Sequence, residues 1–473
     1  MQLAARGDKV TAQRIWERVN EAESLSDSRP LEDITAQLKD PRLLLARCLF
    51  DHGQRRILTE PSNWPQIHVR MKALLEEFPK LREPERVVVV RGLAAASGAK
   101  PPMPSSTEAL LVAWSRIPGT EYDIFHDLDP NESDALAREI VLRGVESVPG
   151  LIALLGDPRV TAHGWLDGGG SPPGIQTLGE LAGRLLSGIT GIPAMTEGER
   201  TDSIAYRFWL DRCRSMGEEE ALALAVFGRE NGRIARVREY PARILAHKFP
   251  ERIPALCAQF SKDATPGLEP FELVRAVVVA RLPFATRVNT LTEFALRGSL
   301  AQKRVVLQNL ATIDPSKCAE LLHPILQTLP TDTTNSYWTC PEAALAHVVK
   351  QVDDDEVWSE FLRAAKRSSV GLRLQMMSWM HYGYHSGEGN RARRLAFLAA
   401  FLGDESLREL PPYEKGGRFD GPCAASTFKG IAVQDFAALQ IAFIFKFSDH
   451  PDDLWTPEQR KELREKVQLK LME

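Results

Sequence analysis

Apolar residues recur at three- and four-residue intervals along nearly the whole chain. That spacing gathers them on one face of a helix rather than on one side of a strand. Leu43, Leu44, Ala46, Arg47, Cys48 and Phe50 form one such face with its flank. Val69, Met71, Leu74, Leu75 and Phe78 form another, ended by Pro79, and Leu110, Leu111 and Trp114 a third, ended by Pro118. Leu222 to Phe227 continue the pattern, and Ile325, Leu326 and Leu329 end at Pro330. No Asn-Gly or Asp-Gly pair reads as a hairpin turn between alternating strands. Val87 to Val90 has strand propensity but lies between helix-favouring Glu83–Arg86 and Leu93–Ala96, so it is read as helix. The expectation is an all-α fold.

Such helices need partners to bury their faces, and the composition supplies the material. Of 473 residues, 44% are hydrophobic and 26% charged, which excludes a disordered, collagen-like or disulfide-scaffold protein. The formal charge of −4 argues against a dedicated nucleic-acid binder. No apolar run reaches ~18 residues, so no membrane-spanning helix is expected. The most apolar stretch, Phe436 to Phe445, is interrupted by Gln440. The six cysteines, at 48, 213, 257, 318, 340 and 423, form no C-x-x-C pair and are read as reduced structural thiols. No signal peptide is read at the start. Leu3 to Asp8 reads as a helix end and Val10 to Val19 as the next helix, as if the chain opened partway through a hairpin. A cytoplasmic location is expected.

Two segments look alike. Val148, Pro149, Leu151, Leu154 and Leu155 lead to Gly156-Asp157-Pro158-Arg159, a Gly/Pro loop and a second helix from Leu178. Leu395, Phe397, Leu398, Phe401 and Leu402 lead to Gly403-Asp404, a glycine loop and a second helix from Val433. Leu155 and Leu402 are expected in the core, where an Asp in place of either would be a buried charge. A helical hairpin buries its face only by stacking on others, which is the logic of a solenoid. These residues resemble the HEAT-repeat family. Pro149 matches the proline that bends the first helix, and Asp157 and Arg159 match the inter-helix turn. Tyr240-Pro241 with Phe249 to Phe260, and Asp314-Pro315 to Leu329, look like degenerate copies. The N-terminal stretch, with Ala5 to Asp8 before Ala12 and Trp16, is similar to tetratricopeptide hairpins. The resemblance implies an α-solenoid of stacked antiparallel hairpins (a HEAT/armadillo-like superhelix) with tetratricopeptide-like hairpins over 1–96, HEAT-like repeats over 107–330, and further repeats with a capping helix over 331–473. Ser97 to Ser106, proline-rich, reads as the first linker. Thr456-Pro457-Glu458-Gln459 reads as the capping-box start of the last helix.

Catalytic motifs are not found: no dinucleotide fingerprint, P-loop, H-E-x-x-H or G-x-S-x-G occurs. No cofactor is expected. His381 and His385, with Glu388, are the most metal-like group, weakened as a helical pair by Gly383 between them. Asp353 to Glu356 reads as a helix start that complements the dipole. Basic residues carry more. Between Arg229 and Arg252 stand seven basic against three acidic residues. Arg229, Arg233 and Arg236 have i, i+4, i+7 spacing and are read as one helical stripe. Arg391, Arg393 and Arg394 gather where a helix begins and oppose its dipole. These six arginines are the candidate partner surface. The resemblance implies a non-enzymatic scaffold for a protein or peptide partner. The alternative is a HEAT-like nucleic-acid binder or DNA-glycosylase-like enzyme with a basic concave surface, which the acidic net charge disfavours.

Overall fold

The computed structural model describes residues 41–118, 134–165, 174–193, 203–265, 267–332, 340–381, 390–407, 431–448 and 455–473. They are predominantly helical and form two compact units. One holds Met1–Val226 with Arg238–Lys248, the other Phe227–Val237 with Phe249–Glu473. Residues 97–106, read as a linker, lie within the first unit. The helices expected before residue 41 lie outside the described residues.

In the first unit, α1 (Pro41–Thr59), α2 (Trp64–Glu77) and α3 (Pro84–Gly98) pack in succession. Their apolar faces meet in a core of Phe50, Ile57, Trp64, Ile67, Met71 and Leu93. The Trp64 indole N–H is satisfied there, donating to the Ile57 carbonyl at 3.0 Å. Val87 to Val90 is helical, as expected, because both flanks of α3 favour helix. Next come α4 (Thr107–Trp114), α5 (Ala135–Leu142), α6 (Val148–Leu154), β1 (Val160–Trp165), β2 (Gly174–Thr177) and α7 (Leu178–Thr190), then α8 (Ser203–Met216), α9 (Glu218–Val226) and α10 (Glu239–Lys248). Thr177 and Glu180 close a capping box that starts α7. Lys248 ties three helices together. Its ammonium donates to Glu218 on α9 at 2.9 Å and to the Arg143 carbonyl after α5 at 2.7 Å.

The second unit begins with β3 (Phe227–Glu230) and β4 (Arg233–Val237). It continues through α11 (Ile253–Asp263), α12 (Phe271–Val279), α13 (Phe284–Arg297), α14 (Leu300–Ile313), α15 (Pro315–Gln327), α16 (Pro341–Ala344), α17 (Ala346–Gln351), α18 (Asp355–Arg367), α19 (Val370–His381), α20 (Arg391–Ala399), α21 (Val433–Phe445) and α22 (Pro457–Met472). Neighbours in sequence pack on one another from α13 to α15, and α21 packs on α19, α20 and α22. Aromatic contacts run through the core, with Phe260 edge-on to Phe294 at 5.6 Å and Phe361 beside Phe397 at 5.2 Å. The capping box at Thr456 and Gln459 forms as its residues predict.

Strands are where the fold departs from the sequence reading. Asn231 and Gly232 join β3 to β4 as a two-residue turn, with φ of 50° and 79°. Both central residues of a type I′ turn require positive φ, which Asn and Gly adopt most readily. The turn was hidden because Phe227-Gly228-Arg229-Glu230 extends an apolar helical pattern and shows no alternation of its own. Likewise β1 and β2 pair antiparallel within what reads as an inter-helix loop.

The two look-alike turns share their hydrogen bonds. Asp157 N–H donates to the Leu154 carbonyl, and Asp404 N–H to that of Phe401. The carboxylates accept the backbone N–H of Arg159 and of Ser406, each at 3.0 Å. Leu178 N–H then returns to the Arg159 carbonyl and Val433 N–H to that of Ser406. Strand pairing repeats too: Val160 opposes Thr177, and Leu407 bridges Ala432. An arginine neutralises each aspartate. Arg159 does so within its own turn, while Ser406 occupies that place in the second copy and Arg373 on α19 supplies the guanidinium. One expectation is corrected here. Leu154, not Leu155, is buried in the first turn; Leu155 is half-buried, whereas Leu402 is buried.

Candidate functional site

Arg229, Arg233 and Arg236 do not form a helical stripe. They stand on the β3–β4 hairpin, whose pairing sets Arg229 opposite Ile234 and Arg236 opposite Gly228, with a bulge between. All three are exposed, yet each is engaged. Arg229 donates to Asp263 at 3.1 Å and to the Gly232 carbonyl at 2.9 Å. Arg233 reaches the Ala264 carbonyl at 3.4 Å. The stem of Arg236 lies across Gly228, where a Cβ would overlap it, and its guanidinium lies 4.0 Å from Glu230. Three others of the basic segment are engaged elsewhere: Arg238 donates to the Ala225 carbonyl, and Arg243 and Lys248 pair with Glu239 and Glu218.

The second arginine group opens α20 as read, and its members differ in role. Arg391 is exposed, with its guanidinium over the Phe445 ring at 5.6 Å. Arg393 pairs with Asp353 at 3.0 Å and Asp355 at 2.8 Å. The acidic run therefore answers an arginine as well as starting α18, where Asp354 accepts the Val357 N–H. Arg394 is only 8% exposed, so as a residue of a protein-docking surface it is corrected: burial keeps it from facing a macromolecular partner. Beside it lies Lys350, 4% exposed, which donates to the Trp379 carbonyl at 2.8 Å. Burial lowers Lys350 to about 7, with the Arg394 charge contributing.

His385 and Glu388 lie outside the described residues, as does Cys423. The described cysteines form no disulfide with one another, and burial makes four of them poor nucleophiles. Burial pushes Cys213 and Cys318 up to about 12 and raises Cys48 and Cys257.

A surface the sequence reading missed lies in the first unit. On α8, Tyr206, Trp209, Leu210 and Cys213 face inward. Ile204 and Phe208, one turn apart on another face, are 58% and 71% exposed. Arg212 follows one turn later, and Leu224 on α9 is also exposed. Phe208, Trp209, Arg212 and Leu224, with Thr190 and Arg238, line an open groove of about 310 Å³. The signal was present in the sequence. Apolar side chains on two faces of one short helix are one face more than a core needs.

Searches of protein-family models, curated proteins and solved structures give no match to this chain.

Proposed function

We propose that the chain is a non-enzymatic helical scaffold for a protein partner, and that the α8–α9 groove receives an apolar segment of that partner flanked by carboxylates. The observation that carries this reading is the groove itself: Phe208 and Leu224 stand exposed at a concave surface bearing Arg212 and Arg238. An exposed aromatic and an exposed leucine beside cations suit a segment with apolar side chains at i and i+4 and acidic neighbours. The paired state of Arg229 and Arg393 supports this over the nucleic-acid alternative, since carboxylates already hold charges that phosphates would need.

The test uses the full chain and a fluorescein-labelled helical peptide with Leu and Phe at i and i+4 flanked by glutamates. A twin with lysines in place of the glutamates is the control. The acidic peptide should bind with salt-sensitive affinity and the basic twin should not. Phe208→Asp should abolish binding and Arg212→Glu should weaken it, both leaving helix content intact, because these side chains are exposed. Equal binding of the two peptides, or wild-type binding by Phe208→Asp, would overturn the reading.

A further inference from the structure

Among the described residues, the start of α20 gathers cationic donors and no acidic residue of its own. Its N-cap residue Asn390, in the left-handed region at φ 60°, makes no side-chain cap to the helix. Its amide instead donates to the Lys350 carbonyl at 2.8 Å. The first turn holds no acidic residue and three arginines. An uncapped helix start already favours an anion, and added cations raise the local potential further. Arg393 is answered by Asp353 and Asp355, but Arg394 forms no ion pair with any described carboxylate. Its Nε is buried and makes no hydrogen bond among the described residues. A nine-tenths-buried guanidinium in that condition carries an unmet desolvation cost. Its Cα–Cβ bond, like any on a helix, tilts back toward the N-terminus, and its charge acts on Lys350, whose carbonyl accepts the Asn390 amide at that helix start. Lys350 brings a second buried amine to the same neighbourhood.

We infer that the start of α20, with Arg394 and Lys350, is a binding site for a compact phosphate-type oxyanion. The set offers a guanidinium fork, an amine and first-turn backbone N–H groups. All are donors, so the complement is a ligand that only accepts and carries negative charge. A tetrahedral oxyanion presents acceptors in several directions, whereas a carboxylate presents two. The site is independent of the α8–α9 groove, so either can fail alone.

The test titrates the full chain with inorganic phosphate against sodium chloride at matched ionic strength. Thermal unfolding and phosphorus-31 line broadening are the readouts. Phosphate should raise Tm saturably, as a ligand of the native state does, and acetate should raise it less. Arg394→Gln should weaken phosphate binding roughly tenfold or more, by loss of its charge-assisted hydrogen bonds. Lys350→Met, if folded, should weaken it as well, and guards against failure of the first variant to fold. No saturable effect on the wild-type chain beyond chloride would overturn the inference, as would an undiminished response in Arg394→Gln. A response to acetate as large as that to phosphate would overturn the choice of oxyanion.

Discussion

Lys350 shows how one side chain can set a pH dependence. Unfolded, its amine keeps its proton up to its ordinary value of 10.5; folded, burial and Arg394 lower it to about 7. Between those values the unfolded state binds more protons, so stability rises with pH across that window. Below it both states are protonated and the full penalty of a buried cation is present. Arg394 is the charged group that adds to that penalty, and His347, also on α17, meets Trp379 edge-on at 4.6 Å. Urea midpoints measured below pH 7 and near pH 9 should therefore increase for the wild type, and Lys350→Met should flatten the rise. A wild-type profile that is flat or falls would contradict this. Gly232 is a second residue-scale case. At φ 79° it sits where a Cβ is disfavoured, so Gly232→Val should destabilise the hairpin by about 1–2 kcal/mol. Faster hydrogen exchange at Arg229 and Arg233 is the expected signature. The residue types at both positions are plain in the sequence. What Lys350 faces and which φ Gly232 adopts are not, because both follow from neighbours distant in the chain or from local pairing.

Among elements, the two aspartate turns are the clearest devices. Asp404 is pushed upward by burial, but Ser406 and Arg373 outweigh that and hold its carboxyl below the usual range. Its contribution to stability is present above its unfolded value and lost as pH falls through the lowered folded one. Asp404→Asn should remove that acid-side loss and weaken the turn at neutral pH. Asp157→Ala should destabilise the first unit by about 1–3 kcal/mol, since it strips the acceptor from a half-buried backbone N–H and from the Arg159 guanidinium together. Urea denaturation checks both. The aspartates and their Gly-Asp spacing were legible, because a short carboxylate after glycine is the local chemistry of a turn. The neutralising partner was legible only once. Arg159 is two residues away, whereas Arg373 is 31 residues from Asp404 and reaches it through packing. Similarly, Arg229, Arg233 and Arg236 are exposed but stand on a different element from the one their spacing suggested. Helical spacing is compatible with a two-residue hairpin plus a bulge, and only the Asn-Gly pair distinguishes them.

For the whole molecule, two compact units with their own cores imply separable cooperativity. Leu310→Asp, which places a charge at a fully buried position of α14, should abolish exchange protection across 300–327 while amides of 41–98 keep theirs. Loss of protection in both ranges would show one cooperative unit. Far-UV circular dichroism should be dominated by helix, with only a minor strand component.

Periodicity by itself determined that the chain is helical, where many of its helices start and stop, and that two turns would be alike. Those properties depend on side chains within a turn or two of one another: apolar spacing, a capping threonine, a proline, a glycine before an aspartate. Tertiary structure decided which charges are spent on neighbours, which are buried, and which apolar face is left over. Arg393 and Arg394 are adjacent in sequence, but packing sets one against two aspartates and buries the other without an ion pair to any described carboxylate. Ile204 and Phe208 look like core residues until Tyr206 and Leu210 take the inward face of the same helix. Electrostatic and hydrophobic energies depend on what surrounds a group, and that environment is assembled from segments far apart along the chain.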